Sequence, residues 1–65
     1  MQVRVNGESC ETEAVFVTDL VHERGADPTR VAVVMNGSVV PAVAHASTRL
    51  KEGDSVDLLV FVGGG

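Results

Sequence analysis

Three glycines close this 65-residue sequence, directly after an apolar stretch, in the run SVDLLVFVGGG. Gly63, Gly64 and Gly65 have no side chain to bury, and glycine loses more conformational freedom on ordering than any other residue. They are therefore an accident, a linker or the working part, and the working part is the favoured reading. Without β-carbons they can thread an extended backbone into a narrow channel of another protein, and they leave the Gly65 carboxylate sterically open. That carboxylate is a poor electrophile as it stands. Converted by ATP to an acyl-adenylate, it acquires a good leaving group and can be attacked by an amine or a sulfur nucleophile.

The other reactive residue types form no comparable set. His22 and His45 stand far apart with no acid–base partner at a suggestive spacing, and both are expected to be solvated surface residues. Cys10 is the sole cysteine, so no internal disulfide can form, and no Cys/His cluster offers a zinc site. A reactive thiol wants an electropositive setting, whereas Glu8 and Glu11 lie close by. Cys10 is expected to be a half-buried strand residue. The Ser, Thr and carboxylate residues make no nucleophile–base set. No Gly-x-x-x-x-Gly-Lys phosphate loop occurs, and no helix follows the Gly63 run. Catalysis by this chain alone, or a metal of its own, is not expected.

Bulk properties narrow the class further. The net charge is −4 and there is no Trp or Tyr, so the basic clusters and stacking residues of nucleic-acid binding are missing. No charged-then-apolar leader and no long apolar run is present, so no membrane span is expected and the expected compartment is the reducing cytoplasm. A chain this short buries only about 60% of the surface its unfolded form exposes. A deep substrate pocket would consume much of that core. The size favours a domain that presents a surface or a terminus to others.

The elements that must position the tail follow from periodicity. Val3 and Val5 alternate with Gln2 and Arg4, and Asn6-Gly7 supplies a two-residue turn into a polar edge strand from Glu8 to about Thr12. In VFVTDLVHERG, Val17, Leu20 and Val21 form one apolar stripe of a short helix, with Gly25 as its stop and no good residue to cap its start. Val31 to Met35 is apolar on both faces, which predicts an interior strand. Asn36-Gly37 turns it into a short return arm, Ser38 to Val40, closed by Pro41 as suits an edge. AVAHASTRLKEGD is irregular or one helical turn, with Leu50 a core residue. The last strand runs from Ser55 to Val62. Val56, Leu58, Val60 and Val62 take its core face, and Asp57, Leu59 and Phe61 the other. Leu59 and Phe61 then make an exposed apolar patch beside the tail, a candidate for docking a partner, with Phe61 as a plain cover for a sheet edge the equal alternative. The expected architecture is one α+β domain over residues 1–62, a helix on a mixed sheet, followed by a flexible glycine tail at 63–65.

VRVNG near the start, VVMNGSVVP in the middle and LKEGDSVDLLVFVGGG at the end, in a chain of this length, resemble the ThiS family of bacterial sulfur carriers. The wider group is the ubiquitin-like β-grasp carriers, which includes the MoaD proteins of molybdenum cofactor biosynthesis. The resemblance spans nearly the whole chain, and its most specific element is the glycine end after the Gly53-Asp54 turn and last strand. It implies a β-grasp fold with the first and last strands parallel and central. It also implies a mechanism. A ThiF-like activating enzyme, using ATP and Mg²⁺, adenylates the Gly65 carboxylate. A sulfur donor, such as a cysteine desulfurase or rhodanese persulfide, converts it to a thiocarboxylate, and the sulfur is delivered at a ThiG-like thiazole synthase for thiamin. The chain itself is then no enzyme. Gly63 and Gly64 carry over as the flexible neck, and Leu59 and Phe61 as docking residues. Many ThiS-like chains carry a basic residue after the proline and an aromatic further on. Here Ala42 follows Pro41, and AVAHAST holds no aromatic beyond His45. A MoaD-like role, a carrier for cysteine or methionine synthesis, a ubiquitin-like modifier of lysines, and a plain β-grasp binding domain stand as alternatives.

Overall fold

The computed structural model describes residues 1–60. Strands β1 (Gln2–Val5) and β2 (Glu8–Glu11) form the first hairpin, and β3 (Val31–Met35) and β4 (Ser38–Val40) the second. Helix α1 (Val17–Glu23) lies between the hairpins, a 3-10 turn (Ala42–Ala44) follows β4, and β5 (Ser55–Val60) ends the described chain. The strands make one mixed sheet in the order β2-β1-β5-β3-β4. β1 and β5 run parallel and every other pair is antiparallel. This is the β-grasp arrangement: the first and last strands meet inside the sheet, and the polar β2 and the short β4 take its edges.

Local chemistry accounts for both hairpins. Asn6 and Asn36 each have φ of 52°, followed by Gly7 at 84° and Gly37 at 86°. Two consecutive left-handed residues make the turn whose twist matches that of paired strands. The helix stops at Arg24, and Gly25 takes φ of 73°, the left-handed exit that glycine adopts without strain.

One hydrophobic core joins the layers. Val3 and Val5 of β1, Val17, Leu20 and Val21 of α1, Val31 and Val33 of β3, Val40 of β4, and Val56 and Leu58 of β5 are all buried in it. Leu50 plugs it from the loop before β5, as its sequence position predicts, and Ala14 closes the approach to the helix. Cys10 is half-buried against this core, in line with a structural role.

Two expectations from sequence need correction. His45 is not a solvated residue: it is 5% exposed, and its Nε2 lies 3.1 Å from the Val40 carbonyl oxygen. A carbonyl only accepts, so Nε2 carries the proton and donates. The turn after β4 folds the ring back onto the strand it has just left. Val60, expected in the core, is 59% exposed. Among the described residues β1 pairs with β5 only at Arg4↔Ser55 and Val5↔Val56, and no strand of theirs flanks Val60 on that side. The seven-residue helix, about 10 Å long, also cannot shield a six-residue strand of about 20 Å from end to end.

Candidate functional site

Strand β5 delivers the chain to its glycine end, so the site begins with what holds β5. On one side it pairs with β3 from Met35↔Val56 to Val31↔Val60. On the other, β1 holds its first residues: Arg4 N–H donates to the Asp54 carbonyl at 2.8 Å and Asn6 N–H to the Val56 carbonyl at 3.0 Å. The turn before the strand is tied by Asp54, whose Oδ2 accepts the Lys51 N–H at 2.7 Å, and Gly53 supplies a φ of 86° there. The GDSV sequence thus makes a compact corner that launches β5 into the centre of the sheet.

Strand alternation sets the two faces. Val56 is fully buried and Leu58 is 7% exposed, whereas Asp57 is exposed and Leu59 is 52% exposed. Leu59 therefore stands where the sequence places it, on the sheet face away from the core. The pairing extends this patch in a way sequence reasoning missed. Leu59 sits opposite Ala32, and Val34 sits opposite both Asp57 and Val39. Ala32, Val34 and Val39 share the Leu59 face, and Val39 is 72% exposed. The Asn36-Gly37 turn could have signalled the Val34–Val39 pair, but no local signal places β3 beside β5. Phe61, Gly63, Gly64 and Gly65 lie outside the described residues.

Among the described residues nothing competes with this end of the molecule as a site. They enclose no pocket, and no group of His, Cys, Asp and Glu could hold a metal ion. No helix is long and apolar enough to cross a membrane. His22 is exposed on α1 and His45 is committed to Val40, so the two histidines share no chemistry. In the α1–β3 loop, the Asp27 carboxyl is held below its ordinary range, chiefly because it accepts the Thr29 backbone N–H (2.9 Å) and also the Thr29 hydroxyl (2.7 Å). These bonds make a local turn and no acid–base pair. What the arrangement can do chemically is hold an exposed strand end, flanked by an apolar face, for another protein.

Comparison with known proteins agrees with this geometry. The model of the ThiS family matches residues 3–65. A crystal structure of a thiamine biosynthesis protein, ThiS, from Geobacter metallireducens superposes with a TM-score of 0.84 at 35% identity, covering all of both chains. A solution structure of a thiamine biosynthesis protein from the same organism gives 0.82 at 35% identity, covering this whole chain and 88% of the other. Thiazole synthases from Paramagnetospirillum magneticum and Magnetococcus marinus are each 33% identical over 66 aligned positions. The match takes in all of this chain but spans only 20% of the length of those two relatives. With a family match across nearly its entire length and the same fold at 35% identity, the chain belongs to the ThiS family.

Proposed function

We propose that this chain is a sulfur carrier for thiazole formation in thiamin biosynthesis, with the Gly65 carboxylate as the group that carries the sulfur. The observation that carries the reading is the family match, which continues through the glycines to Gly65 itself. In this reading the chain is a protein co-substrate and no enzyme. A ThiF-like enzyme binds it and Mg-ATP. A carboxylate oxygen of Gly65 attacks the α-phosphorus, pyrophosphate leaves, and the acyl-adenylate forms. A persulfide sulfur on a cysteine desulfurase or rhodanese then attacks the activated carbonyl and displaces AMP. A second thiol cleaves the resulting acyl disulfide, which leaves the thiocarboxylate on Gly65 and a disulfide on the donor side.

Structure and sequence support this division of labour. The apolar face around Leu59 offers another protein an area to dock, and by sequence Phe61 adds an apolar side chain two residues on, while Gly63 and Gly64 offer a neck that a narrow channel can admit. The two thiazole synthases that contain a segment similar to the whole of this chain favour a ThiG-like thiazole synthase as the destination of the sulfur.

The test is an intact mass spectrum after incubation with the activating enzyme, Mg-ATP and a sulfide source. The expected result is a gain matching replacement of one oxygen by sulfur, mapped to Gly65. An unchanged mass, with an enzyme shown to be active on another carrier, overturns the reading. Conjugation to lysines in place of sulfur transfer would move the chain to the modifier class.

A further inference from the structure

The two Asn-Gly turns do more than reverse the chain, because both asparagines also bond to β5, at different points along it. Asn36 grips its beginning: Oδ1 accepts the Ser55 N–H at 2.9 Å, and Nδ2 donates to Asp54 Oδ1 at 3.0 Å. Asn6 grips it further on, where Oδ1 accepts the Leu58 N–H at 2.7 Å in a partly buried bond. The position of this second contact matters. β1 pairs no further than Val5↔Val56, and alternation then points the Leu58 N–H to an edge where no strand follows. The Asn6 side chain supplies the acceptor that a longer β1 would have supplied. Among the described residues it is the last hold on that edge before the chain runs on towards the glycines.

We infer that Asn6 is a positioning residue for activation of the Gly65 carboxylate, because its bond to Leu58 fixes the direction in which β5 leaves the sheet. This rests on the carrier reading above. Without the bond, Leu58 to Val60 are held from the β3 side alone, and fewer molecules present the strand end in the orientation an activating enzyme accepts. Apparent affinity falls by the competent fraction, while the bound complex, once formed, is the same. The consequence is a raised KM for the carrier with kcat unchanged.

Three variants test it. Asn6→Gly keeps the left-handed turn without strain and removes Oδ1. Asn6→Asp keeps an acceptor oxygen and tolerates positive φ. Asn36→Gly removes the equivalent grip at the start of β5. Each chain is varied as substrate for the ThiF-like activating enzyme with Mg-ATP, and pyrophosphate release is read. Asn6→Gly is expected to raise KM about fivefold at constant kcat, with Asn6→Asp and Asn36→Gly within about twofold of the unsubstituted chain. Hydrogen exchange at the Leu58 amide should speed up in Asn6→Gly and stay slow in Asn6→Asp. Should the glycine variant not hold its fold, the unsubstituted chain decides: a Leu58 amide that exchanges as fast as an unbonded amide shows no hold by Asn6 and overturns the inference. An unchanged KM in Asn6→Gly overturns the inference and leaves the carrier reading intact. An equal rise in Asn36→Gly also overturns it, since the effect is then general loosening. No pyrophosphate release from the unsubstituted chain, with an enzyme active on another carrier, overturns both.

Discussion

Leu58 and Leu59 are adjacent in the chain, yet one is 7% exposed and the other 52%. Their side chains leave β5 on opposite faces, so the same residue type serves the core in one case and the surface in the other. The two should separate cleanly under mutation. Leu58→Ala removes a core side chain and is expected to cost about 2–5 kcal/mol, read by equilibrium urea unfolding. Leu59→Asp should change stability by no more than about 0.5 kcal/mol. It should weaken binding to the activating enzyme about tenfold in a calorimetric titration, as expected for an apolar docking contact replaced by a charge. Equal stability losses from both would mean that the Leu59 face is covered within the molecule. The alternation makes this pair legible in sequence. His45 is different, because its burial depends on a turn that brings the ring back to the Val40 carbonyl, and nothing in AVAHAST encodes that return.

At the scale of elements, α1 shows most clearly how far local sequence reaches. Seven residues make barely two turns, too few for a helix to persist alone in water. Its stripe of Val17, Leu20 and Val21 and its stop at Gly25 are readable, but its start is not, since Phe16 has no side-chain acceptor for the free N–H groups. The acceptors come from far down the chain: the Thr48 carbonyl takes the Val17 N–H at 2.9 Å, and the His45 carbonyl takes the Thr18 N–H at 3.0 Å. The local contribution is Asp19, whose Oδ2 accepts the Phe16 N–H at 3.1 Å. Asp19→Ala is therefore expected to cost about 0.5–1.5 kcal/mol in thermal unfolding. Asp19→Glu, with the residue preferred at that position of a capping box, should retain most of the stability. No loss in Asp19→Ala would mean that the non-local carbonyls suffice. The hairpins are legible for the opposite reason, since Asn-Gly dictates both turn and register within a few residues. That the same asparagines bond to β5, and that Val60 emerges from the core, depend on how β1 and β3 lie against β5. Such a long-range register has no local trace.

For the whole molecule, the proposed carrier role assigns stability and chemistry to different parts of the chain. Among the described residues the core runs from Val3 to Leu58, and the glycines have no side chain to add to it. A domain of 65 residues has little stability in reserve, so in the proposed carrier reading a reactive group on glycines, with no side chain to bury, leaves the fold free of the demands of the chemistry. Removing Gly63 to Gly65 should accordingly shift the Tm by no more than about 3 °C while abolishing thiocarboxylate formation. Removing Gly65 alone is the sharper test. A free carboxylate then still ends the chain, on another glycine, but it stops about 3.5 Å short. If activation depends on threading the neck to a fixed depth, this variant binds the activating enzyme as before and releases no pyrophosphate. Should it be adenylated at the original rate, reach is not what the third glycine provides. Should it lose its fold, the separation of core from tail is itself wrong.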